Sequence, residues 1–163
     1  MLGKGRSPGG RGHVGEGRRP GGRGDRETGA ETVTQYPIEV ILAKRLATHL
    51  AMPVFLVDPA GNLLFCNEQA ERLLGQRFDE TDKMPLEQWS TAFRPVDDDG
   101  APLPPSELPL VSALDKRQPA HRNMTILGFD GVRRDIAVTA LPLAGVTGRF
   151  LGAVAVFWEQ DAP

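Results

Sequence analysis

The stretch PVFLVDPAGNLLFCNEQAERLLG, Pro53 to Gly75, sets two short apolar runs around a turn and follows them with a capped helix. Val54 to Val57 and Leu63 to Cys66 each have the length of a strand, and Asp58-Pro59-Ala60-Gly61-Asn62 between them carries the Asp, Pro, Gly and Asn chemistry of a hairpin turn. Asn67 reads as a helix N-cap whose side-chain oxygen can accept an N–H two or three residues on. Ala70, Leu73 and Leu74 then recur at i, i+3 and i+4, and Gly75 closes the helix. Asp58, Gly61 and Asn67 are therefore expected to be structural, setting the turn and capping the helix.

Upstream, residues 37–51 predict an amphipathic helix with Pro37 at its first position and Ile38, Ile41, Leu42, Leu46 and Leu50 at helical spacing. Lys44, Arg45 and Thr48 populate its other side. Two roles stay open: the helix covers one face of a sheet, or it pairs with its copy in a homodimer. Residues 1–32 hold eleven Gly and no aromatic residue, too little apolar surface to offset the entropy of ordering them. We read residues 1–35 as a disordered Gly/Arg-rich tail. The alternatives are a stretch of translated upstream code, or an RGG-like strand touching nucleic acid through Arg18, Arg19 and Arg23. The last ranks lowest because Glu16, Asp25 and Glu27 interrupt it and no Phe or Tyr interleaves it.

Downstream, Met84 to Phe93 predicts a helix with Leu86, Trp89 and Phe93 on one face, followed by an Asp- and Pro-rich loop to Pro105. Ser106 is expected to cap a helix lined by Leu108, Val111 and Leu114 and ending near Lys116 and Arg117. The last third reads as strands: Arg122 to Leu127 and Arg134 to Leu143 alternate, while Leu151 to Trp158 is almost unbroken apolar sequence, as in a central strand covered on both faces. Helix, two strands, helices and three strands fold most simply as α+β, a five-stranded antiparallel sheet with helices on one face and an N-terminal flanking helix.

Composition narrows the function. The 163 residues, 40% of them hydrophobic, suffice for one core, placed at 36–159 with 160–163 as a C-terminal tail. Residues 33–163 carry twelve Lys/Arg against seventeen Asp/Glu, a charge of −5 that disfavours nucleic acid. The single Cys66 excludes an intrachain disulfide and a Cys-rich zinc site. No apolar run approaches the roughly 18 residues of a membrane span, and no signal peptide is evident, so a cytoplasmic location is expected.

The stretch VDPAGNLLFCNEQAERLLG, then Trp89 with DDDGAPLPPSELPLVSAL, then FDGVRRDIAVTALPL and GRFLGAVAVF, resembles in order and spacing the PAS domain of bacterial sensors over residues 37–159. The resemblance implies a stand-alone sensory module for signal transduction, with Asp-x-x-Gly forming the hairpin and Asn67 opening the next helix. It departs at the end, where many PAS domains close on Asp-x-Thr and this strand reads Val156-Phe157-Trp158-Glu159. With no fused output domain in the sequence, output is expected through a signalling protein partner or through the helix at 37–51.

The family's cavity for a small apolar or aromatic ligand would fall among Leu56, Trp89, Phe93, Val111, Leu114, Met124, Ile126 and Ile136, which otherwise read simply as core. Trp89 and Met124 would be its most adaptable lining. No cofactor is evident. Flavin chemistry in the light-sensing branch needs an Asn-Cys-Arg-Phe-Leu-type helix, whereas Cys66 sits at a strand end. Haem in related sensors uses a His within the helix at residues 106–117, which has none, although His121 lies just beyond it. No metal motif surrounds His13, His49 or His121, and Asp97, Asp98 and Asp99 read as a solvated loop tip. No nucleophile–base pair is visible, so no enzyme is expected. The face bearing Val154, Val156 and Trp158 should be covered by the first helix or by a partner. The alternative is a transcription-associated regulator using the basic tail.

Overall fold

The computed structural model describes residues 35–79 and 83–160. Apart from Gln35 and Gln160, the tails read at 1–35 and 160–163 lie outside these residues. The hairpin forms as its chemistry dictates. Strands β1 (Val54–Val57) and β2 (Leu63–Cys66) pair antiparallel. Asp58 Oδ1 accepts from the N–H groups of Ala60 and Asn62, both at 2.9 Å, and Gly61 takes φ 88°, a left-handed conformation that favours glycine. Asn67 caps α2 (Glu68–Leu74), accepting from Ala70 N at 3.0 Å, and Gly75 ends the helix at φ 74°.

Strands β3 (Ala120–Leu127), β4 (Arg133–Ala144) and β5 (Phe150–Glu159) complete a five-stranded antiparallel sheet in the order β2-β1-β5-β4-β3. The unbroken apolar run therefore becomes the central strand. Gly152, at φ 122°, lies where β5 crosses β1 so closely that any Cβ would enter the Val57 carbonyl. Both sheet edges are partly capped: Leu63 N donates to Met84 O at 2.8 Å, and Val96 exchanges two hydrogen bonds with Thr125. Such pairing leaves less free edge for another chain.

Helices α2, α3 (Leu86–Ala92) and α4 (Pro109–Lys116) lie over one face of the sheet, and α1 (Ile38–His49) over the other. Three helix starts differ from expectation: α1 begins at Ile38 and ends at His49, with Pro37 extended as its cap rather than its first residue. Helix α3 begins at Leu86, because Met84 is held at the sheet edge. Ser106 does not cap α4; it lies in a 3-10 turn, Pro105–Glu107. Leu108 is extended (ψ 134°), as a residue before proline prefers, and Pro109 takes the first helical position.

Helix α1 meets the sheet through a stripe of mostly small residues. Val40 and Ala47 are buried, with Ala43 and Leu50 packed beside them against Val54, Leu56, Phe65 and Leu151. Of the apolar row read from the sequence, Ile38, Ile41, Leu42 and Leu46 face outward, and only Leu50 joins this cluster. Lys44 stretches over the rings of Tyr36 and Phe65 at 5.6 and 5.5 Å, so its stem covers apolar surface. No helix among the described residues is long and apolar enough to cross a membrane.

Candidate functional site

Between the inner face of the sheet and the helices above it lies a half-open cavity of about 70 Å³. Its floor is Phe55 from β1, Ala155 and Phe157 from β5, Ile136 and Val138 from β4, and Met124 and Ile126 from β3. Leu74 of α2, Trp89, Ser90 and Phe93 of the α3 segment, Pro95, and Leu108 to Leu110 close it. The aromatic part is tightly ordered: Phe55 meets Phe157 edge-on at 5.0 Å and lies 6.1 Å from Phe93, which meets Phe129 at 5.3 Å. Trp89 is held from outside the cavity, its Nε1 donating to Gly61 O at 2.8 Å. The turn glycine and the cavity wall are thus one unit.

Five of the eight residues read as cavity lining, Trp89, Phe93, Met124, Ile126 and Ile136, converge on this space. Leu56 is a correction. It points to the opposite face, into the cluster beneath α1, because successive strand residues alternate and Phe55 is the inward one. All four residues of β1 are buried, so its burial carries no alternation that would have told the two faces apart. Val111 and Leu114 also fall outside the lining. They belong to the same core, but α4 approaches the cavity with its first turn, Pro109 and Leu110.

Ser90 was missed. It is 3% exposed, and its Oγ has no hydrogen-bond partner among the described residues. The neighbouring Thr91 shows the usual alternative for a helical hydroxyl, donating back to Glu87 O at 2.9 Å. Leaving a buried hydroxyl unpaired costs on the order of 1–3 kcal/mol. The signal in the sequence was its place between Trp89 and Phe93, which share a helical face.

The other candidates lie elsewhere. Cys66 is partly buried on β2, outside the cavity lining, and burial followed by the nearby Glu71 charge pushes its thiol well above the usual range. It stays protonated at neutral pH and is a poor nucleophile. His121 lies on the outer sheet surface, its Nδ1 2.8 Å from Thr139 Oγ1 and its ring 6.3 Å from Trp158. That hydroxyl–imidazole contact, unseen in the sequence, follows from direct cross-strand pairing. It is exposed, with no enclosing wall. Asp97 spends its carboxylate on its own turn, accepting from Asp99 and Ala101 N–H groups. Among the described residues no three His, Cys, Asp or Glu side chains are grouped to hold a metal.

An antiparallel sheet in the order 2-1-5-4-3, with a cavity under helices on one face and a flanking helix on the other, is an arrangement shared with known proteins. Residues 43–108 match the family model described as PAS domain. The fold is that of a PAS domain. The PAS domain of Bordetella pertussis BvgS superposes with a TM-score of 0.58 at 15% identity, covering 77% of this chain and 89% of that one. The PAS domain of nitrogen regulation protein NR(II) from Vibrio parahaemolyticus gives 0.51 at 17% identity, covering 73% and 98%. A light-oxygen-voltage domain described with a flavin analogue gives 0.53 at 13% identity, covering 75% and 84%. At these identities the likeness speaks to the fold. No curated protein sequence matches the chain. PAS domains are generally signal-sensing modules rather than enzymes.

Proposed function

We propose that this PAS domain is a cytoplasmic, non-enzymatic sensory module whose signal is a small apolar or aromatic ligand held between sheet and helices. The observation that carries the reading is the apolar pocket itself, walled by Phe55, Trp89, Phe93, Met124, Ile126 and Phe157. Well-packed cores leave few voids larger than a water molecule, so a lined space of this kind is a natural ligand site. Met124, unbranched and polarizable, gives the wall room to adapt.

The wall does not fit the larger groups known to occupy this fold. A flavin presents a polar ring edge that needs several hydrogen-bond partners, and Ser90 offers the only free side-chain hydroxyl. A haem needs an axial ligand, and no His lines the space. The test is a panel of small neutral hydrocarbons and aromatics against the Trp158→Phe protein, in which Trp89 is the sole tryptophan. We expect a Trp89 fluorescence change and a rise in Tm with at least one compound. Indifference of both signals across the panel would remove the reading.

A second reading, association through α1 as a homodimer or with a signalling protein, draws on its outward row. Leu42 and Leu46 are 55% and 64% exposed, with Ile38 equally bare, and Trp158 and Leu141 add apolar surface on the same side of the sheet. The two readings are compatible. A role for the basic tail on nucleic acid would rest on residues outside those described and gains no support from the acidic body.

A further inference from the structure

The chain leaves α3 and α4 through an arginine in the left-handed conformation, Arg94 at φ 43° and Arg117 at φ 53°. That position is the usual place of glycine, because a Cβ is crowded there. Arg117 has a visible use for its side chain, which lies over the Phe150 ring at 4.9 Å. Arg94 is exposed and, among the described residues, forms no hydrogen bond, ion pair or ring contact. The β3–β4 turn repeats the contrast. Arg134 is bonded twice to Asp130, whereas its neighbour Arg133 is exposed and has no such partner among the described residues.

Arg94 and Arg133 line the same open surface groove of about 200 Å³, together with Val96, Thr125, Ile126 and Leu127. Thr125, Leu127 and Arg133 belong to the sheet face opposite Met124 and Ile136, and only Ile126 is shared with the cavity. Leu127 and Arg133 are direct cross-strand partners, which sets the arginine beside the apolar floor. Asp135, the acid two residues along the same strand face, already accepts from Thr125 Oγ1 at 2.5 Å. Two unpaired arginines beside apolar side chains, in a body of charge −5, form a local seat for an anion that carries apolar surface. A space of about 150 Å³ accepts benzene, so this groove can seat a ring bearing one carboxylate. We propose that the groove binds a small organic monocarboxylate, its carboxylate held by Arg94 and Arg133 and its apolar body resting on Val96 and Leu127. An inorganic anion would leave the apolar floor bare, and a neutral hydrocarbon would leave both guanidinium groups without a partner. The site is independent of the ligand-sensor reading of the cavity.

The experiment titrates the full chain with benzoate, benzyl alcohol and inorganic phosphate, following the methyl resonances of Val96, Leu127 and Met124 by NMR. The benzoate titration is repeated on Arg94→Gly and Arg133→Gln. Glycine suits the left-handed backbone, so Arg94→Gly should keep a Tm at or above the parent's while losing the guanidinium. Benzoate is expected to shift the Val96 and Leu127 methyls saturably, with benzyl alcohol and phosphate binding at least about fivefold more weakly. Each substitution should weaken benzoate about fivefold, and the affinity should fall as NaCl is raised, because the groove is open to solvent. No saturable shift with benzoate, equal affinity for benzyl alcohol or phosphate, or unchanged benzoate affinity in either variant overturns the proposal. A response at Met124 in place of Val96 and Leu127 would put benzoate in the cavity and overturn the groove alone. A Tm below the parent's in Arg94→Gly would give the left-handed arginine a structural purpose and overturn its assignment to the ligand.

Discussion

Asn67 shows how much one buried side chain can hold. It is 2% exposed and uses both ends of its carboxamide. Oδ1 accepts from Ala70 N at 3.0 Å and Val54 N at 2.9 Å; Nδ2 donates to Ala47 O at 3.0 Å and Met52 O at 2.8 Å. One residue therefore ties the end of α1, the start of β1 and the first turn of α2. Asn67→Ala should cost about 3 kcal/mol, combining a lost cap with buried backbone groups left unpaired. Urea denaturation measures it, and a loss below about 1 kcal/mol would mean the network is not cooperative. The capping bond was legible from the residue type and spacing. The bonds to Ala47 and Met52 were not, because they join residues 20 and 15 positions apart through the folded core.

The β3–β4 turn carries the clearest charge pair among the elements. Asp130 and Arg134 form two hydrogen bonds, at 2.9 and 2.6 Å, and Asp130 also accepts from Val132 N at 3.0 Å. The Arg134 guanidinium, then the Val132 N–H, hold the Asp130 carboxyl down at about 2. A carboxyl depressed in the folded state contributes above its unfolded pKa of about 3.9, and the contribution disappears as pH falls through the folded value. The Tm difference between the native protein and Asp130→Asn should accordingly be constant above about pH 5 and shrink toward zero near pH 2. A pH-independent difference would assign the turn's stability to backbone geometry. Turn and strands were readable here from Phe129-Asp130-Gly131 and the flanking alternation. The start of α4 was less so, because Pro104, Pro105 and Pro109, rather than Ser106, set the backbone.

For the molecule as a whole, the two sides of the sheet divide the work. The inner side, under α2, α3 and α4, lines the cavity, and the outer side meets α1 through Val40 and Ala47. If the bare row of α1 is an association surface, Leu42→Glu with Leu46→Glu should convert a dimer to a monomer in sedimentation velocity. The far-UV circular dichroism and Tm should change little, because neither residue contributes to the buried cluster. A dimer that survives both charges would place the interface elsewhere. Glu39, accepting from Val146 N at 3.2 Å, links the first turn of α1 to the β4–β5 turn.

Local chemistry was determined by sequence alone: strand alternation, the Asp58 turn, the Asn67 cap, the Gly75 stop and the long apolar run that became the central strand. These signals act over a few residues, through dihedral preferences and short hydrogen bonds, so they can be read without the fold. The tertiary structure decided which way each buried side chain looks. Phe55 rather than Leu56 faces the cavity, the small stripe of α1 rather than its large apolar row meets the sheet, and Ser90 is sealed in without a partner. Each outcome depends on what stands opposite, a property of long-range packing. When both faces of an element are apolar, its own sequence has no means of choosing between them.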